Sequence, residues 1–95
     1  MNKHVADEWD VISFVIRSRY RVKTLDRLSD DPAIPSRIAS DQGVLITHIS
    51  RALDQLSDRE LVELLVSDDR RKGRLYGLTE HGETIWGRMN ELDLN

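Results

Sequence analysis

Arg70, Arg71, Lys72 and Arg74 place four cations in the polar segment SDDRRKGR, residues 67–74. Such a cluster can neutralise several phosphates of a nucleic acid, each adding to the salt dependence of binding. It can equally be a solvated hairpin tip whose cations face Asp68 and Asp69. A second set lies upstream. Thr47, Ser50, Arg51 and Asp54 fall on one face of any helix drawn through them. The hydroxyls of Thr47 and Ser50 can donate to phosphates or base edges. The Arg51 guanidinium matches the two acceptors of guanine, and its other uses are a phosphate contact or an ion pair with Asp54 or Asp58. His48 can touch a phosphate or stand solvated. Ser36 and Arg37, at the start of a short helix, are well placed for a phosphate. Arg17, Arg19 and Arg21 can serve the same end or simply coat their helix.

Other chemistry finds little support. His4, His48 and His81 are far apart and lack metal-ligand spacing. Glu80, His81 and Glu83 in EHGE resemble a metal cluster, but they open a helix. There is no glycine-rich phosphate loop and no nucleophile elbow. No enzyme, cofactor or metal is expected.

At 95 residues with 39% hydrophobic content, the chain makes one small domain, residues 1–95, with a thin core. Without cysteine it has neither disulfides nor thiolate chemistry. No apolar run is long enough to span a membrane. The N-terminus lacks an export signal, so a cytoplasmic location is expected. The net charge of −3 argues mildly against nucleic acid. Its distribution argues the other way, because 17–27 and 70–74 are basic segments in an otherwise acidic chain. Asp exceeds Glu and Arg exceeds Lys, a bias that suits a salt-adapted cytoplasm.

The elements that must hold these residues can be read in order. DEWDVISFVIRS carries a broad apolar helical face, with Asp7 or Glu8 suited to its positive end. Ser18 caps a second helix with Val22, Leu25 and Leu28 inward, and Tyr20 can join them. Pro32 and Pro35 interrupt, leaving Ala33–Ile34 as a minimal strand, and Pro35 begins a short helix through SRIAS. DQG turns, with Gly43 free to take positive φ. LITHISRALDQL is the next helix and SDRE a loop. LVELLV and RLYGLT make a hairpin around the basic tip. Thr79 caps a last helix that buries Ile85, Met89 and Leu92, and Glu80 and Glu83 favour its first turn.

Within residues 35–54, Ala39 stands where two helices must nearly touch, Gly43 lies in the turn, and Ile49 points back at the first helix. Ile38, Val44 and Leu53 fill the other apolar positions. That pattern is the packing requirement of a helix-turn-helix. With SRYRVKTLDRLS before it and DDRRKGRLYGLTEHG after it, the chain resembles a winged-helix regulator of the MarR-like type, especially the small archaeal ones. The most specific part is the basic wing leading into Leu-Thr-Glu-x-Gly, and the resemblance covers about residues 10–88. It implies a mainly α fold with a small β-hairpin: a winged helix-turn-helix of about five helices and a two- to three-stranded wing sheet. It also implies a DNA-binding transcription regulator, usually a dimer, with helix 45–56 in the major groove and wing 67–74 on the backbone or minor groove.

Two residues depart from that family. Ser or Thr usually stands where Leu45 does, and a polar residue where Ile46 does. Leu45 falls on one helical stripe with Ile49, Ala52 and Leu56. It is therefore expected in the core, with the helix either uncapped or starting later at Thr47. Ile46 lies off that stripe beside Ser50, where it can touch a thymine methyl or border the core.

Trp9, Phe14 and Trp86 lie in the terminal helices, which suggests a homodimer built on them or a monomer core closed by them. A small-molecule effector is unspecified and would have to lie at the dimer interface. The function expected is a dimeric repressor reading double-stranded DNA. The alternative is a winged helix turned protein-interaction module, with Ile46 in its partner surface.

Overall fold

The computed structural model describes residues 3–66 and 74–95, with side chains from Glu8 onward. In order these are α1 (Lys3–Ile16), α2 (Arg19–Leu28), α3 (Pro35–Gln42), α4 (Ile46–Asp58), β1 (Val62–Val66), β2 (Leu75–Leu78) and α5 (Glu80–Glu91). This is the winged helix-turn-helix expected from the sequence. β1 and β2 pair antiparallel, Val62 opposite Leu78 and Leu64 opposite Tyr76, with a shift in register between Leu64 and Val66. Ala33 adds the minimal third strand. Its N–H donates to the Tyr76 carbonyl and its carbonyl accepts from the Tyr76 N–H, both at 3.0 Å.

One core joins all five helices to the hairpin. It contains Ile12 and Val15 of α1, Leu25 and Leu28 of α2, and Ile38 and Ala39 of α3. Ile49, Leu53 and Leu56 of α4 meet Ile85, Trp86 and Met89 of α5 in the same cluster. The i, i+3/i+4 spacing of these residues is what makes each helix amphipathic. Thr24 is the one buried polar residue among the described ones, and its hydroxyl donates to the Tyr20 carbonyl at 2.7 Å.

Helix ends follow local chemistry. Ser18 accepts from the Arg21 N–H, and Thr79 accepts from the Gly82 N–H, as side-chain caps. Pro35 opens α3 at its first turn. At the other end Gly43 takes φ 68°, and the Val44 N–H reaches back to the Ala39 carbonyl at 3.0 Å. That is the left-handed helix stop for which glycine is suited. α4 and α5 stop the same way at Glu60, φ 61°, and Asp93, φ 62°, with Leu61 and Leu94 donating back to Leu56 and Met89.

Three expectations are corrected. α1 begins at Lys3, so its first turn holds no acid; Glu8 instead accepts from Arg88 Nε of α5 at 3.2 Å. α3 and α4 each run about half a turn further than expected, through Gln42 and Asp58. Leu45 is not core: it is 66% exposed. The reason is its backbone, φ −73° and ψ 142°, which is extended and not helical. A helical wheel positions only residues with helical dihedrals, and Leu45 stands one residue before them.

Candidate nucleic-acid interface

The presentation of α4 is set by its neighbours. α3 packs against it through Ile38 and Ala39, and a three-residue turn with its left-handed stop at Gly43 returns the chain. α2 holds both. Arg27 donates from Nε to Asp41 of α3 at 2.8 Å and from NH1 to Asp31 at 2.7 Å. The hydrogen bond to Asp41, then that to Asp31, holds the Arg27 pKa above its ordinary value. Arg21 ties α1 to α4: its Nε and NH2 donate to the Phe14 carbonyl at 2.9 and 2.6 Å, and NH1 to Gln55 Oε1 at 2.8 Å. Burial, then the nearby Arg17 and Arg59, lowers the Arg21 pKa, yet a guanidinium stays charged at any working pH.

What α4 turns outward is Ile46, Thr47, Ser50, Arg51 and Asp54, all exposed, while Ile49, Ala52, Leu53 and Leu56 are buried. The face expected from spacing is therefore assembled, and it begins with two aliphatic side chains, Leu45 and the 47% exposed Ile46. No side chain caps the α4 N-terminus, so its leading N–H groups are left for an acceptor from outside the helix. No ion pair joins Arg51 to Asp54 or Asp58 among the described residues. Ser36 and Arg37 are exposed in the first turn of α3, likewise without a side-chain cap.

His48 is half-buried against a neighbouring helix. Its ring stacks on Tyr20 with centroids 4.2 Å apart and 12° between planes, and the Arg19 guanidinium lies over the Tyr20 ring at 5.3 Å. Tyr20 thus supports the first turn of α4 from α2. Spacing along the chain carries no sign of this contact, because the two residues lie on different helices and only the fold brings them together. Arg21 is likewise a structural tie and not a coat, and among the described residues Arg17 reaches Ser13 at 3.4 Å. Arg74, directly before β2, is exposed. Arg70, Arg71 and Lys72 lie outside the described residues. Among the described residues, no group of metal-capable side chains is found and no helix is long and apolar enough to cross a membrane.

Three packed helices, a fourth presented at a glycine stop and a hairpin beside it define a winged helix-turn-helix. The chain belongs to the HVO_A0261 N-terminal domain family, whose model matches residues 9–95. Solved structures share the fold. One is NMB1585, a MarR family regulator from Neisseria meningitidis: it is 20% identical, with 95% of this chain and 63% of that one covered and a TM-score of 0.71. Another is reduced MarR from E. coli: it is 26% identical over 77% of this chain and 54% of that one, with a TM-score of 0.67. A third is the transcriptional repressor CouR bound to a 23-mer DNA duplex: it is 27% identical over 74% of this chain and 50% of that one, with a TM-score of 0.65. The chain thus spans between half and two thirds of the length of these structures. No curated protein sequence matches it.

Proposed function

We propose that this chain is a DNA-binding transcription regulator, a homodimeric repressor that reads the major groove with α4 and grips phosphates with segment 67–74. The observation that carries the reading is the outward face of α4. Thr47, Ser50 and Arg51 stand exposed together on a helix whose opposite side is fully buried. Recognition helices read base edges from this position. Arg51 is the base reader, Thr47 and Ser50 add donors, and Ser36, Arg37, Arg70, Arg71, Lys72 and Arg74 supply phosphate contacts. His48, stacked on Tyr20, positions the first turn. The duplex held by CouR supports the same kind of target.

Fluorescence-anisotropy titration against random duplex and against duplexes selected from a random library tests this at stepped salt. Arg51→Ala should weaken selected duplex by about 1–3 kcal/mol and leave random duplex nearly unchanged. Arg70→Ala with Arg71→Ala should weaken both and reduce the slope of log K against log salt by about 1 for each phosphate no longer neutralised. Equal losses on both duplexes for Arg51→Ala would remove it as a base reader.

One observation favours a second reading. Leu45 and Ile46 are exposed aliphatics at the head of α4, as a protein-interaction module would need. That reading expects no duplex binding at moderate salt and a protein partner that no longer binds after Ile46→Asp.

A further inference from the structure

Leu45 and Ile46 stand exposed, 66% and 47%, on the end of α4 that recognition helices direct at base edges. The hydrogen-bonding side chains Thr47, Ser50 and Arg51 share that surface. The backbone that carries the pair is held. The Ile49 N–H and the His48 N–H both donate to the Leu45 carbonyl, at 3.4 and 3.1 Å, and the His48 ring behind them is stacked on Tyr20. Leu45 also lines a shallow cleft with Arg19, Tyr20 and Val44. The backbone at the apolar end of the helix is therefore fixed beside its polar face.

The major-groove floor offers polar donors and acceptors at almost every position. Its one apolar feature is the methyl group on C5 of thymine. Two aliphatic side chains pressed against amino or carbonyl edges would strip water from those groups and return no hydrogen bond. Against a C5 methyl they bury apolar surface on both sides. We propose that Leu45 and Ile46 form a reader of pyrimidine C5 methyl groups, so that the bound sequence carries a thymine, or a 5-methylcytosine, under the N-terminus of α4. This rests on the DNA-reading function proposed above. It makes α4 a split reader: methyls under Leu45–Ile46, and a hydrogen-bonded base under Arg51 one turn further along.

The test removes the methyl and nothing else. Duplexes selected by the full chain from a random library are resynthesised with deoxyuridine for thymidine, one position at a time. A second set replaces each thymine–adenine pair by cytosine–guanine, with and without a 5-methyl group on that cytosine. Binding should fall about three- to fivefold at one or two positions, the worth of one buried methyl each. Ile46→Ala or Leu45→Ala should bind thymidine and deoxyuridine duplexes alike. Both side chains are exposed, so these variants retain the fold. Gain of affinity on 5-methylcytosine at those positions would show that the methyl alone is read; no gain would restrict the reader to thymine. Selected duplexes indifferent to deoxyuridine at every position overturn this inference and leave the DNA-reading function standing. Failure to select any duplex overturns both.

Discussion

A methyl group added at Gly82 would fall on the backbone carbonyl of Leu61, far inside van der Waals contact. Backbone cannot swing aside as a side chain can, so α5 or the start of β1 would have to shift. Gly82→Ala should therefore cost about 3 kcal/mol or more, at the upper end of overpacking. Gly43 gives the opposite case. Its Cβ would meet nothing within 4 Å, but its φ is 68°, so Gly43→Ala should cost only about 1 kcal/mol through the backbone. Urea unfolding of the two variants separates the mechanisms, and equal losses would contradict this distinction. The Gly43 role is legible in the sequence because a helix stop is a local event. The glycine of Leu-Thr-Glu-x-Gly stands out only by family resemblance, since the carbonyl it must admit lies on another element. Leu45 shows the limit of periodicity at the same scale: the residue spacing is right for the core, and one non-helical ψ places the side chain in solvent.

Among the elements, the joint of α1 with α2 gathers two guanidinium groups around one ring. Phe14 lies between the Arg21 and Arg59 guanidinium groups, at 4.0 and 4.2 Å from its ring. Arg21 also closes the C-terminal end of α1 by donating twice to the Phe14 carbonyl, the end of a helix that favours a cation. Arg21→Ala removes those donors and the bond to Gln55, and should cost about 1.5–3 kcal/mol. Arg21→Lys should recover little, because an ammonium lacks the planar fork that spans both acceptors. Full stability of the lysine variant in urea would show that charge alone matters here. The elements themselves are readable in the sequence: caps at Ser18 and Thr79, the break at Pro32 and Pro35, and the bridging Ala33 are local signals. Cross-helix ties such as Arg21–Gln55 and Tyr20–His48 are not, because nothing along one helix names its partner on another.

For the whole molecule, the net charge of −3 hides an uneven division of labour. Arg21, Arg27, Arg59 and Arg88 are all engaged within the chain. Among the described residues, Arg37 and Arg51 on the α3 and α4 face have no such tie and are exposed. Ion pairing thus leaves Arg37 and Arg51 without a carboxylate partner among the described residues, which composition alone does not disclose. The same holds for pairing of two copies. Trp86 is buried in the monomer core, whereas Trp9 and Ile16, seven residues apart on one stripe of α1, are exposed. If the chain forms the proposed dimer, Trp9→Ser should move it toward monomer in sedimentation while leaving its unfolding midpoint nearly unchanged at low concentration. An unaltered sedimentation profile would place the dimer interface elsewhere.

The close seat of Gly82 on Leu61 has a mechanical consequence. Thr79 adds to it from both ends: its N–H donates to the Leu61 carbonyl at 3.1 Å, and its hydroxyl to the Glu60 carbonyl at 2.6 Å. Gly82 has no side chain of its own to stand between the first turn of α5 and the Leu61 backbone at the root of β1. The helix and the hairpin are geared together like a crank on its shaft. A rotation imposed at the far end of α5 would reach the root of the hairpin without slack.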